Sequence, residues 1–267
     1  MKIIRYQDSK GALGYAALQD GGRLPLRITG DIYGQTAVTK DAADVRQVLA
    51  PVVPAMIWCI GLNYRQHAIE ARMNIPQVPV VFAKGPNAVQ GPDAPVVIPS
   101  AAPAEIDYEG ELVVVIGKSC KNVSRERALD YVLGYTCGND VSARDWQLKT
   151  GGSQWCRGKT FDTFAPIGPC LVTTDEISDP GALRLRTMVN GETMQETNTS
   201  DMIFDVPTVI EFLSKSTTLL PGTIIFTGTP FGVGMGQNPP LWLKNGDVVQ
   251  VEIEAIGTLT NRFVNET

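Results

Sequence analysis

The sequence has 267 residues, of which 43% are hydrophobic and 19% are charged, as is ordinary for a globular protein and unlike a disordered chain. Its formal net charge of −5, without a run of basic residues, argues against a nucleic-acid partner. Apolar stretches of the ~20 residues that cross a bilayer are absent, and the amino terminus turns polar too early for a signal peptide. We therefore expect a cytoplasmic protein without a membrane partner, with an organelle matrix as the alternative location.

The chain divides into two predicted units. Residues 1–50 contain glycine pairs and end in a predicted short helix at 42–49, so we expect them to form a small N-terminal subdomain. Pro51 and Pro54 follow, and residues 51–267 are predicted to form the main domain.

The main domain is predicted to consist mostly of strands, because short apolar runs alternate with glycine and proline. The clearest strands are predicted at residues 56–61, 80–83, 111–116, 223–227 and 248–256. Helices are fewer and are predicted at 124–133 and 207–214. Without repeats or regular strand-helix alternation, this pattern predicts a β-rich α+β fold.

The first group of residues that could carry chemistry is Asp107-Tyr108-Glu109-Gly110-Glu111, which leads into an apolar run. On a strand its three carboxylates would project from one face, with alternate side chains roughly 6.5 Å apart. Such charges repel each other unless a cation compensates them. The pattern fits either a metal site or a solvated acidic edge.

A second group lies at residues 139–147. If this segment is helical, Asp140, Arg144 and Gln147 share one face. They could form a surface ion pair, or Asp140 could be a third metal ligand while Arg144 and Gln147 reach a substrate. Three oxygen ligands would suit a hard cation such as Mg²⁺ and leave about three octahedral positions open.

His67 is the only histidine of the chain, and Glu70 follows three residues later. In a helix both side chains would share a face, and the carboxylate would orient the imidazole and raise its basicity, as activation of a water requires. A purely structural histidine is the alternative. A Ser-His-Asp mechanism is not supported, because the sequence has no G-x-S-x-G motif.

The glycine-rich segment 227–236 follows a predicted strand. It lacks the G-K-[ST] of a phosphate-binding loop, so by itself it indicates only a tight turn near an anion or another backbone. Lys84 and Lys159 are isolated cations in apolar or glycine-flanked settings, and each alone is weak evidence of a site.

Taken together, these segments resemble the fumarylacetoacetate hydrolase family, most closely its small domain-containing members. The segments that carry the resemblance are 61–70, 81–84, 107–117, 138–147, 158–164 and 227–234. They extend from about residue 55 to the end of the chain. The resemblance implies a mixed β-sheet roll with peripheral helices, which agrees with the α+β prediction, and a homodimer.

The resemblance also implies roles for individual residues. It implies that Mg²⁺ or Mn²⁺ is bound by Glu109, Glu111 and Asp140, and that Asp107 is not a ligand. It implies a catalytic pair, His67 and Glu70, that activates water on a lid over the substrate. The residues implied to hold substrate carboxylates or a developing oxyanion are Lys84, Arg144, Gln147, Lys159 and Thr229, among which Lys159 and Gln147 offset charge that develops during catalysis. Phe231 departs from the family pattern, in which many members carry Pro or Lys, and could alter which substrate tail fits.

The activity implied first is magnesium-dependent hydrolysis of a C–C bond in a small 2,4-dioxo acid, such as an acylpyruvate or fumarylpyruvate, through a metal-stabilised enolate. The same site would serve an oxaloacetate decarboxylase, an oxaloacetate keto-enol tautomerase or a 2-oxo-dienedioate isomerase. A non-enzymatic metal-binding module is a further hypothesis. It would have no chemical need for both His67 and Glu70 beside three metal carboxylates.

Overall fold

The computed structural model of the protein describes residues 1–150, 152 and 154–267. Strands predominate in these residues. In chain order they are β1 (Lys2–Gln7), β2 (Leu13–Ala17), β3 (Leu26–Gly30), β4 (Thr36–Ala42), β5 (Gln47–Leu49), β6 (Ile57–Gly61), β7 (Val80–Lys84), β8 (Val89–Gln90), β9 (Val96–Ile98), β10 (Ile106–Asp107), β11 (Gly110–Ile116), β12 (Val132–Asn139), β13 (Ser142–Ala143), β14 (Ala165–Thr173), β15 (Arg184–Val189), β16 (Glu192–Asn198), β17 (Ile224–Phe226), β18 (Val248–Ile253) and β19 (Gly257–Asn265).

The helices are short. The α-helices are α1 (Arg65–Glu70), α2 (Trp155–Lys159) and α3 (Val206–Ser214). Segments of 3₁₀-helix lie at Asp20–Gly22, Pro86–Ala88, Arg125–Tyr131, Thr199–Asp201 and Gly234–Gly236, and one π-helical turn lies at Trp146–Thr150. Within the described parts of the chain, no helix has the length and apolar character needed to cross a bilayer.

The largest sheet has the strand order β4-β3-β2-β1-β14-β12-β11-β17-β6-β7, with β5 paired to β1 and β8 paired to β14. Most neighbours are antiparallel, whereas β17 and β6 are parallel. A second sheet has the order β16-β15-β18-β19-β9, and β10 pairs with β13 alone. This mixed-sheet architecture with few helices confirms the predicted β-rich α+β class.

The centre of the molecule is β11, whose residues are all buried. Since β12 and β17 both run antiparallel to β11, the start of β11 lies beside the ends of those two strands. β6 is parallel to β17, so its end lies at the same edge of the sheet. The segments that follow β6, β12 and β17 therefore lie at this edge of the sheet, beside the acidic residues at the start of β11.

Most of the predicted elements are present. The strands predicted at 56–61, 80–83, 111–116 and 223–227 correspond to β6, β7, β11 and β17. α3 matches the helix predicted at 207–214, and Asp205 caps it by accepting from the Thr208 N–H. The strand predicted at 248–256 ends early, at Ile253, because a turn follows in which Ala255 has a φ of 65°.

The helix predicted at 42–49 is wrong. Residues 47–49 form β5, which pairs with β1 through Arg5 and Leu49. Tertiary pairing with an edge strand overrides the weak helical pattern of this segment.

The helix predicted at 124–133 is also largely wrong. A 3₁₀-helix covers Arg125–Tyr131, and β12 already begins at Val132. Gly134, the residue after the predicted helix, lies inside β12, where a Cβ would come within 2.2 Å of the Val172 carbonyl oxygen. Glycine is required there for close strand approach, not for ending a helix.

The first 50 residues contain β1 to β5, and β1 also pairs with β14 through Lys2 and Val172. The N-terminal segment thus extends the large sheet. The boundary between units at residues 50 and 51 stays a prediction.

Candidate active site

Three buried carboxylates converge at the edge where β11 begins. Glu109, Glu111 and Asp140 each offer an oxygen within 4.8 Å of the others. The structure brings together the three carboxylates that the sequence singled out, but the backbone that carries them differs from the prediction. Asp107 and Glu111 do not share one continuous strand, because β10 ends at Asp107 and β11 begins at Gly110.

Asp140 likewise does not lie on a helix with Arg144 and Gln147. It occupies the short connection between β12 and β13, and the helical turns begin only at Arg144. The antiparallel pairing of Gly110 with Asn139 places Asp140 beside Glu109. Strand pairing, rather than helical periodicity, therefore brings the third carboxylate to the site.

Two buried lysines neutralise part of this charge. Lys159 Nζ lies 2.8 Å from Glu109 Oε2 and 2.8 Å from Asp140 Oδ2. Burial alone would lower the pKa of Lys159, but Asp140 and Glu109 outweigh it and raise that pKa, so the ammonium is retained. Lys84 Nζ lies 2.6 Å from the other oxygen of Asp140, and burial lowers the pKa of Lys84.

Glu109 and Glu111 differ in their environments. Burial opposes ionisation of Glu109, yet Lys159 and Arg144 lower its pKa to about 2. Burial raises the pKa of Glu111 well above its usual range, and Asp140 and Glu109 add to that effect. Among the described residues Glu111 has no ion-pair partner, and its Oε2 accepts the Gly228 N–H at 2.7 Å. A bound cation would supply the missing charge, so the three carboxylates fit a divalent metal site.

Arg144 lies between two acids at the cavity wall. Its Nε donates to Asp107 at 2.8 Å, and an Nη atom lies 2.7 Å from Glu109 Oε1. The other Nη donates to Gln147 Oε1 at 3.0 Å. Asp107 also accepts from the Gly234 and Met235 amides at 2.7 and 3.0 Å, so its contacts are those of a residue that orients Arg144.

Asp107→Asn should therefore reduce the free energy of unfolding by about 3–5 kcal/mol, since it removes one partner of a buried, hydrogen-bonded ion pair. Asp41→Asn is the matched control, because Asp41 pairs with Arg27 on the surface, with more than half of both side chains exposed. That change should cost about 1 kcal/mol or less. Denaturant unfolding of both variants measures the difference, and equal effects would contradict this view of Asp107.

His67 and Glu70 lie together on α1, as their spacing predicted. His67 Nδ1 is 2.9 Å from Glu70 Oε2, and Glu70 Oε1 accepts the Gly232 N–H at 2.8 Å. The carboxylate places the proton on Nδ1 and leaves Nε2 as the basic nitrogen. The imidazole is therefore oriented for proton transfer.

The candidate site opens into a cavity of about 270 Å³. Its polar lining residues are His67, Glu109, Arg144, Gln147, Lys159 and Thr229, and apolar side chains that include Phe82 and Trp155 form the rest of the wall. Lys84, predicted to contact substrate, does not line this cavity. Its ammonium contacts Asp140 and donates to the Val141 carbonyl at 3.0 Å.

The glycine-rich segment binds the protein's own carboxylates. The Gly228 amide donates to Glu111, the Gly232 amide to Glu70, and the Gly234 amide to Asp107. Gly232 has a φ of 93°, and a Cβ there would lie 2.1 Å from the Met194 carbonyl oxygen. One loop thus contacts Glu111 of the carboxylate cluster, Glu70 beside His67, and Asp107 beside Arg144.

Comparison with known proteins decides the family. The family described as "Fumarylacetoacetate (FAA) hydrolase C-terminal" matches residues 56–264. This chain belongs to the fumarylacetoacetate hydrolase family. The predicted family and the prediction of an enzyme are thereby confirmed, whereas the predicted hydrolase activity is not.

Relatives within the fumarylacetoacetate hydrolase family cover most of the chain. A fumarylacetoacetate hydrolase domain-containing protein 2 homolog from Dictyostelium discoideum is 53% identical over 80% of this chain and 73% of its own length. The protein named oxaloacetate tautomerase fahd2, mitochondrial, from Xenopus laevis is 43% identical over 99% of this chain and 90% of its own. The crystal structure of 5-carboxymethyl-2-hydroxymuconate delta-isomerase from Mycobacterium smegmatis superimposes with a TM-score of 0.88 at 38% identity, covering 100% of both chains.

Proposed function

We propose that this protein is a divalent-metal-dependent enzyme that moves a proton on a small 2-oxo acid, with keto-enol tautomerisation of oxaloacetate as its reaction. The observation that carries the proposal is the placement of His67, hydrogen-bonded to Glu70, on the cavity that Glu109 of the carboxylate cluster also lines. The relative named oxaloacetate tautomerase and the isomerase of similar structure support proton transfer as the chemistry.

The proposed metal ligands are Glu109, Glu111 and Asp140, with Mg²⁺ or Mn²⁺ as the cation. Oxygen-only ligation suits these hard cations. When bound, the cation supplies Lewis-acid polarisation of the 2-oxo group, which makes the neighbouring carbon more acidic.

The protein's own side chains would transfer the proton and bind the substrate. His67, oriented by Glu70, would remove a proton from the carbon next to the oxo group through Nε2 and deliver it to the oxo oxygen, which gives the enol, and the reverse reaction would move the same proton back to carbon. Lys159 stays protonated between Glu109 and Asp140 and offsets negative charge that develops on the substrate. Arg144 and Gln147 lie at the cavity wall, where they can hold a substrate carboxylate.

Hydrolysis of an acylpyruvate or fumarylpyruvate is a second candidate function, because the His67 and Glu70 pair could instead activate a water. It stays a prediction, as does decarboxylation of oxaloacetate. The names of the relatives favour the tautomerase and isomerase alternatives over hydrolysis.

A homodimer and a cytoplasmic or organelle-matrix location also stay predictions.

The decisive experiment is incubation with Mg²⁺ and separate solutions of enol oxaloacetate, keto oxaloacetate, an acylpyruvate and fumarylpyruvate, followed by NMR. We expect accelerated interconversion of the two oxaloacetate forms without loss of carbon. Release of CO₂ would indicate a decarboxylase, and cleavage with water uptake a hydrolase. A control with Mg²⁺ but without protein measures the rate due to the metal alone. A control with protein and chelator measures the rate without metal.

A further inference from the structure

Gln195 is a buried polar residue of β16 for which the sequence offered no functional signal. Its Oε1 accepts the Gly110 N–H at 3.0 Å, and its Nε2 donates to the Pro230 carbonyl at 2.9 Å. A peptide N–H only donates and a carbonyl only accepts. These two contacts therefore fix which end of the Gln195 amide is the oxygen.

Thr229 closes a ring of hydrogen bonds with these groups. The second Nε2 proton of Gln195 is donated to Thr229 Oγ1 at 2.9 Å. The Thr229 hydroxyl in turn donates its single proton to the Gly110 carbonyl at 3.2 Å. One lone pair of Oγ1 then remains, and Thr229 lines the cavity.

From this ring we propose that Gln195 is a positioning residue that keeps the proton of the Thr229 hydroxyl turned away from the cavity. Thr229 then offers an acceptor and receives a hydrogen bond from a hydroxyl group of the ligand. The proposal rests on the proposed function, since the enol of a 2-oxo acid carries such a hydroxyl and the keto form does not. The family resemblance implies a different role for Thr229, that of holding a carboxylate or an oxyanion, which would require a donor.

Thr229→Val tests the contact itself. The enol complex loses one hydrogen bond and the keto complex loses none, so KM for enol oxaloacetate should rise about fivefold while KM for keto oxaloacetate stays unchanged. A substitution cannot change the equilibrium constant between the two tautomers, so kcat/KM must change by the same factor in both directions. The KM values therefore have to be compared separately. Thr229→Ser keeps the hydroxyl and should restore the enol KM. An equal rise of both KM values would overturn the proposal.

Gln195→Met tests positioning, because methionine has a similar shape and cannot orient the hydroxyl. It should raise the enol KM as Thr229→Val does, and the double variant should be no worse than either single variant. Asn261→Leu is the matched control, since Asn261 lies in the same sheet and its amide donates to two backbone carbonyls far from the cavity. Multiplicative losses in the double variant, or the same enol effect in the control, would contradict the assignment.

A neutron crystal structure of the wild-type protein tests the ring without any turnover. The Thr229 hydroxyl deuteron should point to the Gly110 oxygen, and a deuteron directed into the cavity would overturn the proposal even if Gln195→Met does not fold. Failure of the proposed function would be distinct, because the wild-type protein would then leave the oxaloacetate tautomers at their uncatalysed rate.

Discussion

Glu111→Gln should abolish functional divalent-cation binding and, with it, turnover. The substitution preserves size and keeps an oxygen for the Gly228 N–H, but it removes the one site carboxylate that has no ion-pair partner among the described residues. Loss of a direct ligand should weaken Mg²⁺ or Mn²⁺ binding at least about 100-fold, more than the loss of an outer-sphere contact does. Isothermal titration of Mn²⁺ and the oxaloacetate assay measure the two effects.

Glu252→Gln is the matched control, because Glu252 pairs with Arg186 away from the cavity and should leave both measurements unchanged. Retention of wild-type Mn²⁺ affinity by Glu111→Gln would show that Glu111 is not a metal ligand.

The same variant should change how stability depends on pH in the metal-free protein. Burial and the neighbouring acids raise the pKa of Glu111 in the folded state above its unfolded value. Its contribution to stability is therefore fully present below the unfolded pKa and is lost as the pH rises through the folded pKa. In the presence of a chelator, the free energy of unfolding of the wild-type protein should decrease as the pH rises from the unfolded to the folded pKa of Glu111. The Glu111→Gln variant should lack this part of the decrease. Identical pH profiles would contradict the environment assigned to Glu111.

His67→Asn should keep the metal and lose the reaction. Loss of the general base is expected to lower kcat by about 10²–10⁴. Among the described residues His67 hydrogen-bonds to Glu70 and not to Glu109, Glu111 or Asp140, so the Kd for Mn²⁺ should stay within about twofold. Steady-state kinetics and Mn²⁺ titration on the same preparation check both statements.

Glu70→Gln offers a sharper test of the pair. If the glutamine oxygen keeps the Gly232 N–H, its amide NH₂ faces His67 Nδ1 and places the imidazole proton on Nε2. The nitrogen that faces the reaction is then no longer basic, and kcat should fall about as far as in His67→Asn. A wild-type rate in either variant would exclude His67 as the base.

The sequence was sufficient to single out much of the candidate site. A two-residue spacing of acids before an apolar run pointed to Glu109 and Glu111, and a three-residue spacing pointed to His67 and Glu70. The family resemblance, not the spacing, favoured a metal site over a solvated acidic edge. Local patterns were weaker where tertiary pairing competes with them. Residues 47–49 became a strand because β1 supplies a partner, which no local pattern records.

What only the tertiary structure decided is which groups meet across the chain. Gly228 and Glu111 are 117 residues apart, and Gly110 and Gln195 are 85 apart, yet each pair is joined by a hydrogen bond. A buried amide or carboxylate is stable only with a partner, and that partner is set by sheet order and register. The sequence determined the chemical groups of this protein and five of its strands, β6, β7, β11, β17 and β18. The pairing of those strands determined the carboxylate cluster, the contacts of the glycine-rich segment and the hydrogen bonds of Gln195.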